Sequence, residues 1–337
     1  MGSASAPVLI TGGSGFIGTY LTRRLLVSGR KVCIFDIRPP TRELDYVLGD
    51  LRDRVDLRLG GVDNWPRLFE VVRDVKPDCI VHGAAIVDPA FLKHAPLPAL
   101  RVNVEGTVNV LEATRLLGVR RMVYLSSIGL LTRVQYEPID VNHPILIARE
   151  GPGAGFYGAA KAASEVFCYA YHDAFGVDFR AVRPSGVYGF GMGWPMFVKP
   201  MVEAAVEGRS LRFATGGPFP RSYTHVEDVA SLIACLIDAP DDVDRIFYAA
   251  TGERLTTATE LAAIVRDVVP GADIEIGDTL GPDDNFELSF RAPLSIENAR
   301  QQLGWEPRFR SMRDGVAEYV ARYREYVGVG PATSTAR

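Results

Sequence analysis

A tyrosine and a lysine four residues apart, in Tyr157-Gly158-Ala159-Ala160-Lys161, are the pair in this chain best suited to moving a proton. On a helix, residues i and i+4 share one face about a turn apart. Tyrosine ionises near pH ~10, so its use as a general base near neutrality takes about 4 kcal/mol. A neighbouring ammonium favours the phenolate and can supply part of that. The spacing alone equally fits a core tyrosine resting against a solvated lysine. The elements that position the pair decide between the two.

Residues 7–18 read Pro-Val-Leu-Ile-Thr-Gly-Gly-Ser-Gly-Phe-Ile-Gly. Val8 to Ile10 is a short apolar run, as in a buried parallel strand. After the glycine-rich turn, Phe16, Ile17, Tyr20, Leu21 and Leu25 recur at helical spacing. Gly12, Gly15 and Gly18 thus lie between a strand and a helix. That is where a tight turn, a close backbone approach to a pyrophosphate and close helix packing are needed. Lys31 to Phe35 reads as the second strand, closed by Asp36. A carboxylate about 20 residues beyond the glycines is placed to hold adenosine ribose hydroxyls. It also repels a 2′-phosphate, so NAD is favoured over NADP, with Arg38 close by as a tempering charge.

Residues 39–64 are less regular. Gly49-Asp50-Leu51-Arg52-Asp53 and Gly60-Gly61-Val62-Asp63-Asn64 compete for the adenine-side loop, and Val62 and Asp63 are preferred because a helix, Trp65 to Val75, follows at once. Cys79 to Val81 is another buried strand, and His82-Gly83-Ala84-Ala85 after it offers small residues where a ligand must come close to backbone. Val102 to Leu117 reads as a helix. Asn103 near its start is either a cap or a polar tie behind the site. Arg121 to Leu125 is a strand ending in Ser126-Ser127. The stretch from Asp140 to Gly155, rich in proline and glycine, is loop. The Tyr157 helix runs to about Tyr171, and Asp178 to Val182 is a strand leading into Arg183-Pro184-Ser185-Gly186-Val187-Tyr188-Gly189.

This alternation predicts an α/β fold: a doubly wound parallel (Rossmann) sheet with helices on both faces. The nucleotide-binding domain spans 1–189. A smaller discontinuous C-terminal substrate lobe covers 190–327, with 221–250 partly returning to the first, and 328–337 is a flexible tail. Helical segments are expected near 196–208 and 226–238, with short strands and loops at 211–224, 246–250 and 273–277.

The 337 residues are 47% hydrophobic and 23% charged, with a net charge of −4, so the composition is globular and nucleic acid is not an expected partner. No apolar run is long enough to span a membrane. The opening Met-Gly-Ser-Ala-Ser-Ala is neither a secretory signal nor, with Ala6, a myristoylation site. Cys33, Cys79, Cys168 and Cys235 lie far apart beside apolar residues, as buried free thiols in a reducing, cytoplasmic compartment do. Neither they nor the five histidines have ligand spacing, and no metal is expected.

Several of these motifs, in this order, resemble the extended branch of the short-chain dehydrogenases/reductases, the NAD-dependent epimerase/dehydratase group. The resemblance covers about residues 7–320. It rests on Thr11 to Gly18, Asp36, His82 to Ala85, Asn103, Ser126-Ser127, Tyr157-x-x-x-Lys161 and Pro184-x-x-Val187-Tyr188-Gly189. Arg221-Ser222-Tyr223-Thr224-His225-Val226 and Leu303-Gly304-Trp305-x-Pro307 complete it. It implies catalytic roles for Ser127, Tyr157 and Lys161: Tyr157 would exchange a proton with the substrate oxygen and Ser127 would donate a hydrogen bond to it. Lys161 would depress the tyrosine and hold the nicotinamide ribose. The implied NAD-binding set is Gly12, Gly15, Phe16, Ile17, Asp36, Val62, Asp63, Ala84, Ala85, Asn103, Tyr157, Lys161, Pro184 and Val187. Arg221 matches a phosphate-binding position for the substrate, and a homodimer through helices at 100–117 and 157–172 is implied.

Three stretches depart from the group. Trp194 to Val198 lacks an expected asparagine. Leu280 to Asn285 carries Asp283 and Asp284 where a second arginine is usual, and Leu130-Leu131-Thr132 replaces an aromatic-glycine pair. The expectation is hydride transfer between NAD and a C–OH/C=O of a sugar-like substrate, nucleotide-linked or not, of epimerase type. A dehydrogenase of a non-nucleotide hydroxy or keto compound is the alternative. Dehydration ranks lower, for Ser127-Ile128-Gly129-Leu130 offers no acid–base pair, and a non-catalytic NAD-binding regulator ranks last.

Overall fold

The protein is described here from a computed structural model covering residues 6–147, 155–281 and 288–329. Strands β1 (Val8–Thr11), β2 (Val32–Asp36), β3 (Asp56–Leu59), β4 (Cys79–His82), β5 (Arg121–Leu125) and β6 (Phe179–Pro184) form one parallel sheet with the strand Ile246–Ala249. Their spatial order is Ile246–Ala249, β6, β5, β4, β1, β2, β3. The direction of winding reverses between β1 and β4, and in such sheets a crevice opens there at the carboxyl ends. Register aligns those ends: Thr11 pairs with Phe35 on one side and His82 on the other, and His82 with Tyr124.

The apolar runs explain the strands. Val8, Leu9, Ile10, Ile80, Val123 and Phe179 are all buried, because helices cover both faces. Side chains alternate between the two faces. Leu9, Phe35, Ile80 and Tyr124 pack with Leu68, Val71, Val110 and Leu111 of helices α3 (Trp65–Val75) and α6 (Gly106–Leu117). Val8, Ile10, Ile34 and Val123 pack with Leu21 and Leu25 of α1 (Phe16–Val27) and with Val229 and Ile233 of the helix Val226–Ile237. Each such fully buried side chain contributes about 1.5–3 kcal/mol.

The irregular reading of 39–64 missed α2 (Arg42–Leu48) and β3. β3 is the sheet edge, and Asp56 and Arg58 face outward as a 2.7 Å ion pair, so the strand lacks a buried apolar run. The segment 102–117 also differs. Short α4 (Pro89–His94) and α5 (Pro96–Ala99) lead into a wide π turn, Leu100–Glu105, and only then into α6. Ile246–Ala249 belongs to the main sheet, pairing with β6 from Ala181 to Pro184. The helices Val198–Val206, Ala258–Val268 and Met312–Val327 pack together. Their Val202, Leu261 and Val316 join the same buried cluster as Ile10. Of the expected tail, Gly328 closes the last helix at φ +72° and 330–337 lie outside the described residues. Among the described residues no helix is long and apolar enough to cross a membrane.

His82 locks the sheet to α6. It is buried between the Thr11 hydroxyl (2.7 Å) and the Thr107 hydroxyl (3.0 Å), and its ring stacks on Tyr124. Burial, assisted by the charge of Lys161, pulls its pKa down to about 3. Between pH 6.5 and about 3 the unfolded chain therefore takes up a proton that the native state refuses, and stability falls as the pH falls. His82→Gln is expected to flatten the dependence of Tm on pH across that window. At pH 7.5 it should cost about 1–3 kcal/mol from imperfectly remade hydrogen bonds. Thermal unfolding followed over pH checks both; an unaltered acid slope would assign the loss to other groups.

Candidate active site

The glycine turn lies directly under the loop that follows β4. Gly12 has φ +70°, and a Cβ there would stand 2.7 Å from the Ala84 nitrogen. A Cβ on Gly18 would meet the Gly13 Cα at 2.6 Å, so the first turn of α1 can seat closely only without one. Gly15 precedes α1 with extended backbone and provides no side-chain cap for the helix amides that begin at Phe16 and Ile17. Asp36 accepts the Ser14 N–H at 3.0 Å and the Arg38 N–H at 3.3 Å. Burial pushes its carboxyl pKa up, and these amides pull it back. The Ser14 hydroxyl is buried and without a hydrogen-bond partner. A cradle that any side chain would fill, an orphaned hydroxyl and a carboxylate at the end of β2 fit the pyrophosphate and ribose of a dinucleotide.

Ala84 and Ala85 are half-buried above this turn, the Ala84 N–H reaching the Thr11 hydroxyl at 3.4 Å. Asn103 is buried in the π turn. Its side chain accepts the Ile86 N–H (2.7 Å) and donates to the Ile86 carbonyl (2.9 Å), which makes it a tie that shapes this loop. Register separates the two candidates for the adenine side. Asp36 pairs with Leu59, so Gly60 to Asp63 leave β3 at the carboxyl edge beside Asp36. Gly49 to Asp53 precede the strand and lie at the opposite edge. Val62 is buried against Gly106, its carbonyl accepting the Asn109 amide at 2.9 Å, and Asp63 is exposed.

Ser127 follows β5, and Tyr157 and Lys161 lie in the first turns of α7 (Phe156–Phe175). The Ser127 hydroxyl oxygen accepts the Gly129 N–H at 2.9 Å. The Tyr157 ring lies against the same glycine, where a Cβ would stand 3.1 Å from Ser127 Oγ and 3.4 Å from Tyr157 Cε1. Burial pushes the Tyr157 phenol up, and a hydrogen bond with Ser127 pulls it down. The Lys161 ammonium donates to the Leu125 carbonyl at 2.6 Å and lies 4.8 Å from the Tyr124 ring centre and 5.7 Å from that of Tyr157. Burial, opposed by Glu165, lowers its pKa to about 8. The structure thus brings the three sequence-predicted groups together at the carboxyl edge, with the ammonium anchored on backbone instead of on the phenol.

Pro184 ends β6, and Val187 lies in the strand Gly186–Tyr188, which pairs with Tyr223–His225. The turn is braced by a 2.6 Å hydrogen bond between the Ser185 and Thr224 hydroxyls, by Thr224 donating to the Ala249 carbonyl at 3.0 Å, and by the Ser185 N–H on that same carbonyl at 3.1 Å. Arg221 flanks the turn. A Cβ on Gly186 would stand 3.2 Å from its Cδ and 3.4 Å from the Met196 sulfur, and Arg221 also reaches that sulfur at 3.6 Å. Met196 therefore occupies space beside Arg221 within the stretch lacking the asparagine.

Sequence reasoning missed Arg291. Its guanidinium lies over the Phe219 ring at 5.3 Å, and that of Arg221 over the same ring at 5.2 Å, so one aromatic ring carries two cations. Both charges pull down on the buried Tyr223 phenol, which burial raises. Of the stretch 280–285, where a second arginine is usual, Pro282 to Asn285 lie outside the described residues. Arg291 comes six residues later, between Phe290 and Ala292, and Arg-flanking aromatics were the available signal.

A parallel sheet with a glycine cradle at its switch point and a serine, a tyrosine and a lysine beside it defines the dinucleotide-dependent class of α/β enzymes. The chain belongs to the NAD dependent epimerase/dehydratase family, whose model matches residues 8–250. It is accordingly an enzyme, and its cofactor is NAD. It is 29% identical over 321 residues to UDP-glucose 4-epimerase of Mycolicibacterium smegmatis, spanning 94% of this chain and 98% of that one. It is 27% identical over 336 residues to UDP-glucuronic acid decarboxylase 5 of Arabidopsis thaliana, spanning 96% and 90%. The structure of Thermus thermophilus UDP-glucose 4-epimerase in complex with NAD shares the fold with a TM-score of 0.78, covering 94% of this chain and 99% of that one at 24% identity.

Gly12→Ala is expected to force an L-residue into a left-handed conformation, costing about 1–2 kcal/mol, and to drive its methyl into the Ala84 backbone. Retained NAD, measured on the purified protein, should fall at least tenfold along with Tm. Normal NAD content in a folded variant would remove the turn from the cofactor site.

Proposed function

We propose that this protein is an NAD-dependent epimerase acting on a nucleotide sugar, with Ser127, Tyr157 and Lys161 as its catalytic groups. The observation that carries this reading is the meeting of the Ser127 hydroxyl and the Tyr157 ring on Gly129, beside the edge that holds the glycine cradle. With the Gly129 N–H on one acceptor site of Ser127 Oγ, the hydroxyl hydrogen, shared with the Tyr157 oxygen, is placed to donate to a substrate oxygen that meets both groups. Tyr157 takes the proton of the substrate hydroxyl as the carbon is oxidised and returns it on reduction. Lys161, fixed on the Leu125 carbonyl, supplies positive potential that favours the phenolate against the upward push of burial. The glycine cradle would hold NAD, which would supply the hydride acceptor and donor, and a hydride returned to the other face of the carbon would invert the centre with no net redox change. On this reading the cofactor would be held by Gly12, Gly15, Phe16, Ile17, Asp36, Val62, Asp63, Ala84, Ala85, Tyr157, Lys161, Pro184 and Val187, with Asn103 shaping the loop behind it.

Arg221 and Arg291 form the substrate end of the reading, since two cations on one ring suit a diphosphate. The two sequence relatives are named for UDP sugars, UDP-glucose and UDP-glucuronic acid. Epimerisation is preferred to dehydration or decarboxylation because Ile128 and Leu130, the residues flanking Gly129, are buried and apolar and add no acid or base. A second reading, a dehydrogenase of a non-nucleotide substrate, is favoured by Met196, whose thioether stands beside Arg221.

One assay separates them. The enzyme is incubated with NAD and a panel of UDP sugars and free hydroxy and keto compounds, following NADH absorbance and product stereochemistry. An inverted centre without NADH supports the epimerase, and accumulating NADH on a non-nucleotide compound supports the dehydrogenase. Tyr157→Phe should lower kcat by about 10²–10⁴-fold while NAD affinity stays within a few-fold. A large loss of NAD binding would instead make the tyrosine structural.

The reading includes a homodimer in a reducing, cytoplasmic setting. Leu100, Leu116, Phe156, Val166 and Phe175 leave apolar side chains exposed on the π turn, α6 and α7, and all four cysteines are free. Sedimentation equilibrium is expected to give twice the chain mass, and a Val166→Glu variant should shift it toward the monomer; a monomeric wild type would remove this part of the proposal.

A further inference from the structure

Glu165 sits one helical turn beyond Lys161 on α7 and is 3% exposed. Its two carboxylate oxygens are gripped by one arginine: Arg183 Nε donates to Oε1 at 3.0 Å and Nη2 to Oε2 at 2.6 Å. The remaining Arg183 nitrogen donates to the Tyr248 hydroxyl at 3.0 Å, and Tyr248 is fully buried on the edge strand. Arg183 itself is the residue before Pro184, where the braced turn begins. A buried ion pair is no cheaper than a well-packed apolar pair of the same volume. Two apolar side chains could tie α7 to β6 equally well, so the charges at this point ask for a third party. Lys161 is that party. It is 3% exposed, and what faces it is Tyr157, Glu165 and Cys168 from its own helix, Tyr124 and the Leu125 carbonyl from β5, and His82 from β4. Burial pushes the Cys168 thiol and the phenols upward and keeps His82 neutral, which leaves Glu165 as the anion in this set.

We propose that Glu165 and Arg183 are positioning residues for Lys161: Glu165 is the counter-charge that keeps the buried ammonium protonated and seated on the Leu125 carbonyl, and Arg183 aims that carboxylate while joining it to the turn at Pro184. Neither touches substrate. Arg183 uses two of its nitrogens to fix both carboxylate oxygens, so Glu165 cannot swing toward Lys161 to form a closed pair and withdraw the ammonium from its carbonyl. The carboxylate is shared between two cations and acts on Lys161 through space.

This inference rests on the catalytic reading of Lys161, and its test is read on the lysine itself. The chain has five lysines, so ε-carbon-labelled lysine gives a sparse NMR spectrum of the NAD-loaded enzyme, with Lys161→Arg identifying the resonance. The wild-type Lys161 resonance should titrate near pH 8. In Glu165→Gln the midpoint should fall by at least about one pH unit. The pH at which kcat declines should fall with it, while substrate KM stays within about twofold. Glu165→Asp should lie between the two. An unmoved midpoint in Glu165→Gln, with a lowered Tm as its sole effect, would overturn the proposal and leave a packing ion pair. If Glu165→Gln does not fold, Arg183→Lys keeps the charge but loses the fork, frees Glu165 to close on Lys161 and should raise the midpoint instead; no movement there overturns the proposal equally. A midpoint shift in an enzyme that epimerises nothing would sustain this inference and sink the assigned reaction.

Discussion

Keeping a charged ammonium inside the protein is the constraint on which the site depends. Taking such a group out of water costs several kcal/mol after relaxation, and Lys161 is 3% exposed. The compensation is specific: a carbonyl at the end of β5, the face of Tyr124 and a carboxylate one turn along α7. These can act together only if α7 docks with one rotation about its axis. That rotation is also what lays Tyr157 on Gly129 and brings its ring to the Ser127 hydroxyl, because Tyr157 and Lys161 occupy the same helical stripe. The reactive geometry follows from satisfying one buried charge.

The parts of this arrangement that were legible in the chain are those encoded locally. The glycine turn announces itself because its neighbours, a buried strand and an amphipathic helix, are both short-range patterns, and Asp36 is found by counting from it. Tyr157 and Lys161 are found by helical spacing. The parts that were not legible are made by pairing across the chain. β3 is an edge strand whose outward ion pair hides its identity. Ile246–Ala249 reads as one more short strand until its register with β6 makes it part of the main sheet. Asn103 could be read as a cap or a tie, and what settles it is Ile86, 17 residues away, across a π turn that periodicity does not distinguish from an ordinary helix.

The proposed substrate end shows the same limit more sharply. Arg221 and Arg291 are 70 residues apart in sequence and meet on Phe219 because Thr132 and Val134, just after Ser127, hold the loop at Ser289 with hydrogen bonds of 3.0 and 2.9 Å. Ile139 fixes the next stretch through Pro293 and Ser295. The wall of the crevice is thus assembled from three segments, each uninformative alone. The glycine turn and the Tyr157–Lys161 stripe are each carried by a short local pattern, whereas Arg221 and Arg291 are gathered by tertiary contact, which is why the former were read from the chain with more detail than the latter.

The hydroxyl of Thr224 touches both Ser185 and the carbonyl of Ala249. Because that carbonyl arrives on the outermost strand of the sheet, a ribosome must have released about three quarters of the polypeptide before the turn after β6 has its last brace. Shorter chains that already carry the glycine turn and the tyrosine–lysine stripe in their sequence therefore still lack this brace.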